Sequence, residues 1–317
     1  MSSDTYKEAL MSESGLKKIG VIGIGTMGNG ISQVSAQSGF DTVVMDVDAS
    51  VLDRGRDAIS RSLDRLVKAF EKSGGEKGIT GGAKDEALGR LTTTSSVDDL
   101  LDCDLIVEAV PERPELKEKI NRELADKGYD KILVSNTSGI SITRLGAAYG
   151  RPDLFMGMHF MNPVPMQKGV EIIRGLATSD ATYETVVALC HDMGKIEIPA
   201  EDKAGFAINR MFVPFVNEAI RVVEEGIAAV DDVDKCTYCL GHKMGPLMTA
   251  DYVGLDTMLF ICEVIEEEFG SFYKPSPLLK RLVESGQLGA KTGSGFYNWE
   301  KYKAAGVNPD VARYRIK

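Results

Sequence analysis

No run of the sequence approaches the roughly 20 consecutive apolar residues that a membrane-spanning helix requires, so no transmembrane segment is expected. Positive charge is outweighed: 37 Lys and Arg stand against 47 Asp and Glu, a formal net charge of −10. That balance speaks against non-specific nucleic-acid binding, which needs a basic face. An anionic small molecule can still bind at a local basic patch, because distant charge is screened over roughly 8–10 Å. The five cysteines (Cys103, Cys190, Cys236, Cys239 and Cys262) are odd in number and scattered, as expected of reduced thiols in the cytoplasm. Cys236 and Cys239 form a C-x-x-C with no second pair or histidine to complete a zinc site, and no strand precedes it. It reads as a coincidence on a helix or turn, and no metal is expected. Residues 1–15 lack an apolar core and any arginine, so they read as a disordered polar leader and not as a secretory signal or transit peptide.

What is present is an ordinary globular balance, 43% hydrophobic and 26% charged over 317 residues, long enough for two domains. From Gly15 to about Ala200, short apolar runs alternate with longer amphipathic ones. "KKIGVIG", "DTVVMDVD", "RLTTT", "CDLIVEAV", "KILVSN", "LFMGMHF" and "KGVEII" read as strands. Between them come a helix ending at Gly39, a long helix with Ile59, Leu63, Leu66, Val67 and Phe70 on one face, and helices beginning near Ser96 and Pro114. "EKGITGGAKDEALG" is glycine-rich and expected to be mobile. Such alternation predicts an α/β domain with a doubly wound, mostly parallel sheet covered on both faces. Beyond residue 203 the apolar spacing turns helical from Ile208 to Val223, and strand runs vanish until "GFYNW". The expected division is therefore 16–203 for the α/β domain and 204–317 for an all-helical C-terminal domain.

Gly23, Gly25 and Gly28 form G-x-G-x-x-G directly after the first strand and at the start of a helix. In that context each glycine has a mechanical reason, and the pattern marks a Rossmann-type dinucleotide site. The first permits the tight turn, the second lets backbone approach a pyrophosphate, and the third allows close helix–strand packing. Thr26 and Met27 lie inside the loop, where free N–H groups would face the phosphates. Asp46 ends the second strand, where a carboxylate accepts from an adenosine ribose and repels a 2′-phosphate. NAD is therefore expected over NADP.

Taking hydride from an alcohol leaves a proton to be accepted, and histidine is tuned for that near neutral pH. Three histidines are available. His191 lies near a helix end and His242 in a turn, and both read as structural or surface residues. His159 ends an apolar strand at the sheet edge where open α/β folds bind ligands. Glu171 interrupts the apolar run "GVEII", a costly place for a carboxylate without a partner. A Glu bonded to the imidazole would hold its tautomer and stabilise the imidazolium. A buried histidine satisfied within the core remains the alternative.

The segment "HFMNPVPMQKGVEII" resembles the signature of the L-3-hydroxyacyl-CoA dehydrogenases, including the short bacterial 3-hydroxybutyryl-CoA forms. The likeness runs in order through "DLIVEAVPE", "SNTSGISIT", "GFAINRM" and "MGPLMTADYVGLDT" to "KTGSGFY". It implies reversible NAD-dependent oxidation of an (S)-3-hydroxyacyl-CoA to the 3-oxoacyl-CoA, as in fatty-acid β-oxidation. His159 would be the general base, Glu171 its orienting partner, and Ser138 and Asn209 the groups that fix the substrate oxygen and the base. Glu112 and Lys117 match positions at the NAD ribose, Asn162 one near the nicotinamide, and Ser62 one that contacts coenzyme A. Ser138 and Asn209 would equally serve as helix caps, and Glu112 and Lys117 as solvated helix-start charges. A homodimer through the helical domain is expected, with no nucleic-acid or membrane partner.

The sequence departs from the family in places. Lys68 is followed by Ala69 where two consecutive lysines are common, so the grip on the CoA phosphate falls on Lys68, Lys72 or Arg65, or weakens. Gly169 and Gly139 stand where an aliphatic residue and a serine are common. Two other readings stay open: a dehydrogenase of the same build acting on a hydroxy acid or hydroxy-amine without CoA, and a non-catalytic NAD-binding protein.

Overall fold

The computed structural model describes residues 12–312. Of the expected leader, residues 1–11 lie outside the described residues, as do 313–317 of the tail. Residues 12–14 are tied down: the Ser12 and Ser14 hydroxyls donate to Asp192 at 2.6 and 2.7 Å, and the Glu13 N–H donates to it at 2.8 Å. The chain forms two compact units, one up to Lys203 and one from Ala204 onward.

In the first unit β1 (Lys18–Ile22), β2 (Asp41–Met45), β3 (Leu91–Thr94), β4 (Leu105–Glu108), β5 (Ile132–Ser135), β6 (Phe155–Phe160), β7 (Gly169–Arg174) and β8 (Ile196–Glu201) form one sheet. Its order is β3-β2-β1-β4-β5-β6-β7-β8. The six strands from β3 to β6 pair in parallel, β7 runs antiparallel to β6, and β8 is parallel to β7. The order reverses between β1 and β4, so the loops leaving those strands diverge and open a crevice at their carboxyl ends. The central strands are buried apart from Lys18 at the start of β1, which is why β1 and β4 are apolar but for Lys18 and Glu108 at their ends.

Helices α1 (Thr26–Gln37), α2 (Ala49–Lys72), α3 (Gly81–Gly89), α4 (Pro114–Asp126), α5 (Ile142–Tyr149) and α6 (Asp180–Asp192) accompany the sheet. Gly55 on α2 lets that helix approach the glycine loop: a Cβ there would stand 2.5 Å from the Ile24 side chain.

Two local expectations need correction, and one strand was not anticipated. The segment expected to be mobile contains α3, which Thr80 caps by accepting from the Ala83 N–H at 3.1 Å and which buries Ala87. Its glycines masked a helix that tertiary packing completes. The helix expected from Ser96 is a single 3₁₀ turn, Val97–Leu100. Strand β8 escaped notice because it lies at the sheet edge and alternates Ile with Glu, with little of it buried.

The second unit is built from α7 (Ile208–Glu224), α8 (Val230–Cys239), α9 (Pro246–Val253), α10 (Leu255–Phe269), α11 (Pro277–Glu284) and the short α12 (Pro309–Ala312). It also carries an antiparallel hairpin of β9 (Tyr297–Glu300) and β10 (Lys303–Val307), so it is helical but not purely so. Val216, Ile220, Leu255, Ile265 and Phe296 sit in its core. Buried Asp251 organises the hairpin by accepting from the Phe296 and Tyr297 N–H groups and from Trp299 Nε1. Cys236 and Cys239 lie on α8 and are exposed. No helix of the described residues is long and apolar enough to cross a membrane.

Candidate active site

The glycine loop runs from the end of β1 into α1. Gly23 has φ +91°, and a Cβ there would stand 2.9 Å from the Ala109 carbonyl oxygen that follows β4. At Gly28 a Cβ would fall 1.7 Å from the Gly23 carbonyl oxygen, so α1 can start this close only without a side chain. Gly25 differs: nothing lies within 4 Å of its would-be Cβ. It is the N-cap of α1, and no side chain caps that helix end. Gly25 and Thr26 are exposed and Met27 is half-buried. Open backbone N–H groups at a helix N-terminus, with a bare glycine for close approach, form a cradle for a phosphate group. Asp46 is held beside the loop, its Oδ2 accepting from the Ile24 N–H at 3.0 Å.

His159 and Glu171 face each other on β6 and β7 as a cross-strand pair. Nδ1 of the imidazole lies 2.7 Å from Oε2 of the carboxylate. Glu171 is fully buried and His159 nearly so, at 6% exposure. A carboxylate only accepts, so the imidazole proton belongs on Nδ1, and Nε2 is left with a lone pair. The next residue, Phe160, donates its N–H to Asn136 Oδ1 at 2.9 Å, fixing the end of β6 to the loop after β5.

That loop carries Ser138. The Glu112 carboxylate collects it through one oxygen, accepting from Thr137 Oγ1 at 2.5 Å, the Ser138 N–H at 2.7 Å and the Gly139 N–H at 3.2 Å. Lys117 on α4 is only 1% exposed. Its Nζ donates to both carboxylate oxygens of Glu108, at 2.8 and 3.1 Å, and to the Val110 carbonyl at 3.2 Å, and lies 3.4 Å from Glu112. Glu108, fully buried at the end of β4, also accepts from Ser135 Oγ at 2.6 Å. One buried ammonium thus ties two carboxylates and, through them, the ends of β4 and β5.

Asn162 is exposed in the β6–β7 connection. Asn209 lies on α7 in the second unit. On α2, Ser62 is half-buried and Lys68 exposed, while neighbouring Asp64 pairs with Lys84 at 2.5 Å. His191 is exposed and bonded to Glu197 at 2.6 Å, and His242 stacks on Phe215, so each has a local structural partner.

The 3-hydroxyacyl-CoA dehydrogenase NAD binding domain model matches residues 18–203, and the C-terminal domain model of the same enzymes matches 205–299. The chain belongs to the 3-hydroxyacyl-CoA dehydrogenase family. A probable 3-hydroxybutyryl-CoA dehydrogenase of Deinococcus radiodurans is 46% identical over 287 residues, covering 89% of this chain and 100% of that protein. The 3-hydroxybutyryl-CoA dehydrogenase of Bradyrhizobium diazoefficiens is 46% identical, covering 91% and 97%. Among solved structures, the (S)-3-hydroxybutyryl-CoA dehydrogenase of Ralstonia eutropha superposes with TM-score 0.83 at 41% identity, covering 90% of this chain and 100% of that one.

This member of the 3-hydroxyacyl-CoA dehydrogenase family is an NAD-dependent oxidoreductase, and its own residues fit the cofactor. Gly25 is open, the start of α1 has no side-chain cap and the Asp46 carboxylate lies beside the same loop, a set of groups whose chemistry suits a phosphate and a ribose hydroxyl. Three residues were not anticipated from the sequence. Glu108 and Ser135 are the buried end of the Lys117 network; the only signal was a charged residue closing the apolar run "LIVE". Asn136 was hidden because its role depends on a strand distant in sequence.

Proposed function

We propose that this dehydrogenase interconverts an (S)-3-hydroxyacyl-CoA and the 3-oxoacyl-CoA, with short acyl chains such as 3-hydroxybutyryl-CoA as the substrate class. The observation that carries this reading is the His159–Glu171 pair at 2.7 Å, with the acid fully buried. Nε2 of His159 takes the proton of the 3-hydroxyl group, and the Glu171 carboxylate stabilises the imidazolium that results. NAD, when bound, supplies the hydride acceptor. The Ser138 hydroxyl hydrogen-bonds the substrate oxygen as negative charge develops on that oxygen, and Asn209 is assigned a substrate-binding role. Glu112 sets where Ser138 stands, and Lys117 serves the cofactor ribose by holding Glu112. Gly23, Gly25, Thr26, Met27 and Gly28 receive the pyrophosphate, Asp46 the adenosine ribose, and Asn162 the nicotinamide end. Ser62 and Lys68 on α2 meet the coenzyme A moiety.

The relatives' names support the CoA substrate over a free hydroxy acid. One assay decides: NADH consumption with acetoacetyl-CoA against free acetoacetate. Equal rates with the two would end the CoA reading. His159→Gln is expected to abolish turnover while NADH still binds; a fully active variant would remove the assigned base. The enzyme would act as a cytoplasmic homodimer of fatty-acid β-oxidation, supported by five free cysteines and by Met211 and Leu240, 70% and 77% exposed on the helical unit. A monomer in solution scattering at micromolar concentration would exclude the dimer.

A further inference from the structure

Lys195 follows α6 and leads into β8, and is 9% exposed. Its Nζ donates to the Val164 carbonyl at 2.6 Å and to the Gln167 carbonyl at 2.7 Å. No carboxylate lies within ion-pair distance of it among the described residues. The titratable group acting on it is the buried Cys190 thiol of α6, and burial itself holds the ammonium below its ordinary pKa of 10.5. An ammonium buried against neutral carbonyls is expensive compared with an apolar side chain of the same length. Stability alone does not account for it.

What it grips is the connection between β6 and β7. The N–H groups of Met166 and Gln167 both turn back onto the Pro163 carbonyl, at 2.9 and 3.0 Å. Val164, 2% exposed, packs on α1 where Gly30 makes room: a Cβ on Gly30 would come within 2.8 Å of it. The turn is thus held between the helix that opens at the phosphate cradle and one ammonium. His159 and Glu171 are already fixed by strand pairing, whereas exposed Asn162, at the mouth of this turn, has no such ladder.

We infer that Lys195 is a positioning residue, which gathers the Val164 and Gln167 carbonyls onto one point and thereby sets Asn162 for the nicotinamide end of the cofactor. This rests on the assignment of Asn162 made above. The test compares two ligands on Lys195→Met: NADH, and ADP-ribose, which lacks the nicotinamide and meets only the glycine loop and Asp46. Losing two charge-assisted hydrogen bonds is expected to weaken NADH about tenfold and leave ADP-ribose within about twofold. Equal weakening of both ligands, or of neither, overturns the inference, because general damage to the fold does not distinguish them. Should Lys195→Met fail to fold, Lys195→Gln, which keeps one donor group on a shorter stem, is read by the same ratio. Asn162→Ala separates the premises. If it too weakens NADH selectively while Lys195→Met does not, the Lys195 role alone fails; if Asn162→Ala shows no selectivity, the assignment of Asn162 falls and the inference falls with it.

Discussion

Glu171 stands directly across an antiparallel strand pair from His159, so the sheet's own register sets the 2.7 Å contact between acid and imidazole. Neither side chain sits on a loop whose motion would break the pair. A one-residue slip would send Glu171 to the other face of the sheet.

Glu171→Gln should therefore retain the fold, because the amide is isosteric and can still meet the imidazole, but it removes the charge and the tautomer control. We expect kcat to fall by about a hundred- to ten-thousandfold with NADH affinity unchanged. Stopped-flow turnover with acetoacetyl-CoA and NADH fluorescence titration measure the two. A loss of NADH binding in step with kcat would instead indicate a disrupted sheet.

Two glycines of the cradle should respond in opposite ways. Gly25→Ala adds a methyl to open space, so unfolding in urea should shift by less than about 0.5 kcal/mol while NADH binds at least about tenfold more weakly. Gly28→Ala drives a methyl into the Gly23 carbonyl and should cost about 1–3 kcal/mol or more before any ligand is added. If both variants lost only stability, the loop would have a packing role alone.

Lys117→Met leaves the buried carboxylate of Glu108 without its ammonium and should destabilise by about 3–5 kcal/mol. The double variant Lys117→Met with Glu108→Gln should recover part of that loss, since the stranded charge is gone. Additive losses in chemical denaturation would show that the two groups are not coupled.

The single tryptophan offers a pH readout. Trp299 Nε1 donates to Asp251 at 2.8 Å. Burial raises the Asp251 carboxyl from 3.8 to about 6. The folded state therefore holds this proton more tightly than the unfolded chain does. The group's contribution to stability declines as pH rises from about 4 to about 6, by about 3 kcal/mol. Intrinsic fluorescence should change with a midpoint near 6, and Asp251→Asn should lack that transition. A flat emission between pH 5 and 7 in the unmodified protein would be the contrary result.

The glycine loop was legible because its determinants are local. A strand, three glycines and a helix start follow one another in the chain, and each glycine answers a steric demand a few residues away, as the 1.7 Å approach at Gly28 shows. The contact between His159 and Glu171 was partly legible: a carboxylate inside an apolar strand must find a partner, and Glu171 advertised that need.

Local pattern alone settled strands β1 to β7, the glycine turn after β1 and the change of texture beyond residue 203, because these follow from periodicity and backbone sterics over short stretches. Only the tertiary structure decided that Lys117 is turned inward, that Glu112 gathers the Ser138 loop, and that Lys195 closes on the turn after Asn162. Each of those depends on a charge finding its partner across elements far apart in the chain. A charged residue looks the same in sequence whether water or a buried carboxylate will receive it.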